Sequence, residues 1–236
     1  MHILSAMGGL VILDLDDTLL RTAAATRAAR RLVADRVFPG AADRVLPIWR
    51  RVTLLYPDQQ FDDLLSVVAA LLGTRLPPDL DLRELAAGYQ AAALARITAR
   101  PRVVAAARRL RDVGGHDLAI VSNGDDAVQR TKIERCGLGD LAPAERVVIC
   151  DGVRIPRKPH PQAVHAVLTG APAVLVGDRT TDVLCARRAG IPVVRLRART
   201  ADLERGAGLR AIARPDALCS AAELYEVTRE LLEERG

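Results

Sequence analysis

The sequence predicts an α/β protein: a parallel sheet with helices on both faces, and an all-helical segment inserted after the first strand. Three observations carry this expectation. The run Leu10-Val11-Ile12-Leu13 is continuously apolar, as a strand covered on both faces is. From about Thr22 to Arg100 only helical periodicity occurs. From Pro101 onward helical and strand patterns alternate, which is the mark of βαβ units.

The elements follow in order. After the first strand, helices are expected over Thr22–Arg36, Ala42–Leu55, Phe61–Leu72 and Leu82–Ile97. They are separated by the breakers Pro39-Gly40, Tyr56-Pro57-Asp58 and Pro77-Pro78-Asp79. A helix over Arg102–Val113 then leads to a strand over Asp117–Val121. Further pairs follow: helix Asp125–Cys136 with strand Arg146–Cys150, helix Pro161–Leu168 with strand Ala173–Val176, and helix Thr181–Ala189 with strand Pro192–Leu196. An amphipathic helix over Ala221–Glu234 ends the chain. This divides the 236 residues into a Rossmann-like core, 1–20 and 101–236, and a helical insertion, 21–100. In an open sheet of this kind, ligands bind beyond the carboxyl ends of the strands. The polar residues at those ends are therefore the candidates for chemistry.

Composition narrows the function classes. Half of the residues are hydrophobic but only 3% are aromatic, so the core must be built from Leu, Val, Ile and Ala. No apolar stretch approaches the roughly 18–20 residues that span a bilayer. Met1 to Gly9 lacks a basic stretch followed by a long apolar one, so a cytoplasmic protein is expected, with no membrane partner. Cys136, Cys150, Cys185 and Cys219 are scattered with no C-x-x-C, as buried free thiols are. The net charge of +5 is spread along helical faces beside acids, without a basic cluster or an aromatic stacking platform, which argues against nucleic acid. Of 34 basic residues only Lys132 and Lys158 are lysines. In this Arg-heavy chain an incidental basic position would be Arg, so each lysine is informative.

The strand ends hold a specific set of residues. Asp14 and Asp16 close the first strand, and side chains two apart on a strand share a face. Paired carboxylates repel, and folds keep them for a metal ion or for a division between ionised and protonated acid. Thr18 follows. Ser122-Asn123-Gly124 ends the second strand, Gly177-Asp178 ends the fourth with Asp182 four residues on, and Arg157-Lys158-Pro159 lies between. Acids for a hard cation, a hydroxyl with nearby backbone amides, and a lysine together suit a phosphoryl group bridged to Mg²⁺. Singly, each has a plainer reading: Ser122-Asn123-Gly124 as a turn and cap, Asp178 and Asp182 as a capped helix start, Lys158 as a surface charge.

Asp14-x-Asp16-x-Thr18, Ser122, Lys158 and Gly177-Asp178-x-x-x-Asp182 resemble, in order, the four motifs of the haloacid dehalogenase-like hydrolase superfamily. The helical insertion between the first two motifs resembles the C1-cap subgroup, with a layout like that of phosphoglycolate phosphatases and β-phosphoglucomutases. The resemblance implies a nucleophilic Asp14, and an Asp16 that protonates the leaving oxygen and then takes a proton from water. It implies Mg²⁺ on Asp14, Asp178 and the Asp16 backbone carbonyl, with Thr18 and Asp182 in support. Ser122, the Asn123 amide and Lys158 would hold the phosphoryl group.

Within that resemblance the residues select among reactions. Dehalogenases replace the second aspartate of the first motif, whereas Asp16 is present. Phosphonoacetaldehyde hydrolases use a cap lysine and β-phosphoglucomutases use basic cap groups including His and Lys, but no Lys or His occurs between Thr22 and Arg100. The expectation is therefore a Mg²⁺-dependent phosphatase of a small phosphate monoester: a sugar phosphate, phosphoglycolate or a mononucleotide. A phosphomutase and a non-catalytic member that binds a phosphorylated ligand are the alternatives. A cap closing over the core would select the substrate. Arg21, Arg27, Trp49, Arg50, Tyr56, Gln59, Gln60 and Tyr89 are candidate contacts, each also readable as a surface or core residue.

Overall fold

The computed structural model describes residues 8–55, 61–197 and 214–234. Two compact units are present: Met1–Arg21 together with Thr98–Gly236, and Thr22–Ile97.

The first unit is built on strand β1 (Leu10–Leu13), whose four residues are all fully buried. Helices α1 (Thr22–Val37), α2 (Ala42–Leu55), α3 (Phe61–Leu71) and α4 (Leu82–Leu94) follow and make the second unit. The chain then alternates: α5 (Pro101–Asp112), β2 (Asp117–Asn123), α6 (Asp126–Arg135), β3 (Val147–Cys150), α7 (Gln162–His165), β4 (Ala173–Gly177), α8 (Thr180–Ala189), β5 (Val193–Leu196), β6 (Ala217–Cys219) and α9 (Leu224–Glu233). The six strands form one sheet in the order β3-β2-β1-β4-β5-β6, with every pair parallel.

Leu10 and Ile12 join Ala119, Val121, Leu175 and Val193 in one core cluster with Val164, Val183 and Ala186 of α7 and α8. On a strand the intervening residues point the other way. Val11 and Leu13 are equally buried, and α5 and α9 pack on β2 and β4. Arg109 of α5 lies 3.8 Å over the Tyr225 ring of α9 and ties those two helices together. Helices on both faces explain why β1 lacks any polar alternation. The four cysteines are free, and no described helix is long and apolar enough to cross a membrane.

The helical unit has its own core. Val33, Val45, Trp49, Leu65, Val68 and Leu85 cluster, with the Trp49, Phe61 and Tyr89 rings 5.3–6.1 Å apart. Asp81 caps α4 by accepting from the amides of Arg83 and Glu84.

Several boundaries differ from expectation. β2 runs two residues further, because Ser122 and Asn123 pair with Ile149 and Cys150 of β3. They end the strand from within it. The helix expected over Pro161–Leu168 is regular only over Gln162–His165, and α4 stops at Leu94 rather than Ile97. Ala99 bridges Leu20, so the chain must leave helical geometry before that point. β6 was not expected: it is a three-residue edge strand, too short to show a period.

Candidate active site

The strand order dictates where the site forms. From β1 the chain moves to β2 and β3 on one side, then returns to β4 on the other. The switch point therefore lies between β1 and β4, where a parallel sheet opens a crevice at its carboxyl ends. Asp14 follows β1 directly, and its amide donates to the Val176 carbonyl at 2.9 Å. Asp178 follows β4, and Asp182 lies in the first turn of α8. One carboxylate oxygen from each of Asp14, Asp178 and Asp182 falls within a group spanning no more than 4.8 Å, and all three residues are buried.

The local backbone is shaped for these groups. A Cβ on Gly177 would stand 2.4 Å from Asp182 Oδ2, so only glycine lets that carboxylate lie against the strand end. Asp182 Oδ2 accepts from the Arg179 amide at 3.0 Å, which holds it there. Asp17 takes a left-handed conformation, φ +62°, which turns the chain sharply after Asp16. Arg100 Nη1 donates to the Asp17 carbonyl at 2.6 Å and secures the turn.

Lys158 is 4% exposed and uses all three ammonium hydrogens. Its Nζ donates to Asp14 Oδ1 at 2.6 Å, to Asp182 Oδ1 at 2.7 Å and to the Val121 carbonyl at 2.9 Å. Burial alone would depress its pKa, but the Asp14 and Asp182 carboxylates outweigh burial and keep it charged well above the ordinary lysine range. Asn123 positions this lysine: its side chain donates to the Lys158 carbonyl (3.0 Å) and accepts from the Lys158 amide (2.8 Å). The Asn123 side chain is thus committed to the loop.

The carboxylates remain electrostatically crowded. Asp14 is pushed up to about 6, chiefly by burial, against the pull of Lys158 and with the push of Asp182. Asp178 is raised well above the ordinary range by burial, then by Asp14 and Asp182. Lys158 bonds two of the three buried acids and the Arg179 guanidinium acts on them from nearby, and three carboxylates against these two cations still leave negative charge to be neutralised. An all-oxygen donor set of this kind fits a hard divalent cation, with Asp14 and Asp178 offering ligand atoms. Asp182 has both oxygens engaged by Lys158 and Arg179.

Asp16 sits apart from this cluster in its contacts. Both of its oxygens lie within 2.9 Å of Lys132 Nζ, and Oδ2 also accepts from Gln129 Nε2 at 2.9 Å. Ser122, 1% exposed, accepts from the same Gln129 nitrogen at 2.7 Å. Thr18 is fully buried, and among the described residues no hydrogen bond joins its hydroxyl to the carboxylates. Of the candidate substrate contacts, Trp49 is 1% exposed inside the helical core and Tyr89 packs on it. Tyr56, Gln59 and Gln60 lie outside the described residues. Gln129 and Lys132 had no place in the motif reading. The scarcity of lysine marks Lys132 as unusual in the sequence but gives it no role.

The profile of the haloacid dehalogenase-like hydrolase family matches residues 9–190. Among solved structures, a HAD family hydrolase from Deinococcus radiodurans R1 with bound phosphate and sodium is 23% identical over 96% of this chain and 98% of its own, at a TM-score of 0.71. A predicted phosphoglycolate phosphatase from Haemophilus somnus 129PT is 18% identical over 95% and 99%, at 0.65. L-2-haloacid dehalogenase from Xanthobacter autotrophicus is 22% identical over 95% and 99%, at 0.63. No curated protein matches the chain. With a family profile that matches residues 9–190, most of its length, the chain belongs to the haloacid dehalogenase-like hydrolases.

Proposed function

We propose that this protein is a Mg²⁺-dependent phosphatase that hydrolyses a small phosphate monoester through an aspartyl-phosphate. The observation that carries the reading is the buried group of Asp14, Asp178 and Asp182, with Lys158 bonded to two of them and Asp16 close by in sequence on its own partners. Phosphate monoesters are inert in water, and a carboxylate nucleophile divides the reaction into two easier steps.

In the first step an Asp14 oxygen attacks phosphorus as the bond to the leaving oxygen breaks. Asp16 gives that oxygen a proton. In the second step water attacks phosphorus and passes a proton to Asp16. The bond to Asp14 breaks, and inorganic phosphate and the starting enzyme result. Lys158 offsets charge at Asp14, and the Ser122 hydroxyl, which accepts from Gln129, keeps its hydrogen to donate to a phosphoryl oxygen. Mg²⁺, held by Asp14 and Asp178 with the Asp16 carbonyl, would neutralise the phosphoryl oxygens and lower the repulsion against an anionic nucleophile.

The dehalogenase among the structural relatives raises a second chemistry on the same fold. Asp16 favours phosphoryl transfer, since a departing halide needs no proton. The partner expected is a small phosphorylated metabolite, with no part for nucleic acid or membrane, in a cytoplasmic setting.

A panel of phosphorylated metabolites with Mg²⁺ tests the reading. Asp14→Asn is expected to abolish phosphate release, and Asp16→Asn to lower it by about 10²–10⁴-fold, the usual weight of a general acid–base. Turnover of the best substrate that survives both substitutions unchanged would defeat the mechanism.

A further inference from the structure

Helix α6 buries an unusual set of residues. Its buried positions are Gln129, Lys132 and Ile133, so two of the three are polar and lie three apart on one face. Burying an ammonium and an amide costs free energy unless each meets a partner. Both meet the same one. Lys132 Nζ reaches Asp16 Oδ1 at 2.9 Å and Oδ2 at 2.8 Å, and Gln129 Nε2 reaches Oδ2 at 2.9 Å.

The backbone makes room for this contact. Gly124 has φ +152°, and a Cβ there would stand 2.9 Å from Gln129 Cγ and Cδ. The acceptors around Gln129 fix its amide orientation, because a carboxylate and a carbonyl only accept. Its nitrogen faces Asp16 Oδ2, Ser122 Oγ at 2.7 Å and the Asn123 carbonyl at 3.0 Å, and its two hydrogens are shared among these three acceptors. One amide therefore ties the carboxylate of Asp16 to the hydroxyl that would hold the phosphoryl group. Asp16 itself stands beyond the end of its strand, at the entry to the sharp turn that Asp17 makes.

We infer that Lys132 and Gln129 are positioning residues, which hold the Asp16 carboxylate at a set place relative to Ser122. The inference rests on the proposed role of Asp16. Both lysines of the chain now serve in the same way, Lys158 on Asp14 and Asp182, and Lys132 on Asp16. A compact ammonium suits these enclosed places, whereas the other positions among the 34 Lys and Arg residues are all Arg.

The proposal predicts how the rate depends on the leaving group. Proton delivery matters little for p-nitrophenolate and much for phenolate, a base of pKa about 10. The test measures kcat/KM of the full chain with Mg²⁺ for a series of substituted phenyl phosphates, from p-nitrophenyl to phenyl. Substrates of one shape keep binding differences small. In Lys132→Met the loss with phenyl phosphate is expected to exceed the loss with p-nitrophenyl phosphate by about tenfold, a fraction of full acid–base catalysis. Asp16→Asn should steepen the dependence further, and Lys132→Gln, which keeps an N–H donor, should fall between wild type and Lys132→Met.

Equal losses across the series in both lysine variants would mean that Lys132 only supports the fold, and would overturn the inference. A gain in rate with phenyl phosphate would also overturn it, since Lys132 would then restrain Asp16 from acting. If Asp16→Asn itself leaves the dependence unchanged, the acid–base reading of Asp16 fails along with the inference. A steepened Asp16→Asn beside unaltered lysine variants removes the positioning role alone.

Discussion

Metal affinity is expected to fall at least about tenfold between pH 7 and pH 5. Asp14 stands raised from an ordinary 3.8 to about 6, mainly because it is buried. A cation entering the cluster must displace a proton from whatever fraction of Asp14 is protonated. With a pKa of about 6, Asp14 is roughly nine-tenths ionised at pH 7 and one-tenth ionised at pH 5, so Asp14 alone lowers Mg²⁺ affinity about tenfold, or about 1.4 kcal/mol, and protonation of the raised Asp178 adds to that drop. An Asp14 with an ordinary pKa would stay more than about nine-tenths ionised at both values and affinity would barely change. The metal-free fold responds in the opposite sense. Its Asp14 binds a proton more tightly than the unfolded chain does, so stability rises as pH falls from about 6 towards 4 and is lost as pH climbs back. Isothermal titration of Mg²⁺ into the metal-free protein at the two pH values measures the effect. An affinity unchanged within about twofold would refute the reasoning, because it would mean that the carboxylate is already ionised without its cation.

Two substitutions probe the frame around the cluster. Gly177→Ala would drive a methyl group onto the Asp182 carboxylate, which Lys158 and the Arg179 amide hold in place. Urea denaturation should show a loss of about 1–3 kcal/mol, while Gly139→Ala, which opens onto space, should be neutral. Lys158→Met leaves Asp14 and Asp182 buried without their ammonium, for an expected loss of about 3–5 kcal/mol by the same assay. A loss under about 1 kcal/mol would indicate that the two acids relieve themselves by taking up protons.

The fold was legible because its signals are local. Leu10 to Leu13 reads as a doubly covered strand from its apolar run alone, and the alternation after Pro101 reads as a parallel sheet. The short strand Ala217–Cys219 was not legible, since three edge residues carry no period and are recruited by pairing with β5. Tyr89 illustrates a different limit. Its spacing is compatible with a ligand contact or a core position, and only its packing on Trp49 and Phe61 assigns it to the helical core.

For the site, the sequence by itself determined which residue types stand at the strand ends: Asp14, Asp16, Ser122 and Asp178 follow from the periodicity that locates each strand. Their meeting was a tertiary decision. Strand order brings Asp14 and Asp178 to one switch point, although 164 positions separate them in number. Lys158 reaches them from a loop that Asn123 ties down, a contact no spacing rule encodes. The face of α6 was hidden for the same reason. A buried Gln and Lys on a helix carry no apolar period, and their purpose exists only once β1 delivers Asp16 within 2.9 Å of them. Composition marked Lys132 as unusual, but only the folded chain supplies its carboxylate, because pairing buried charges depends on distances that the sequence does not contain.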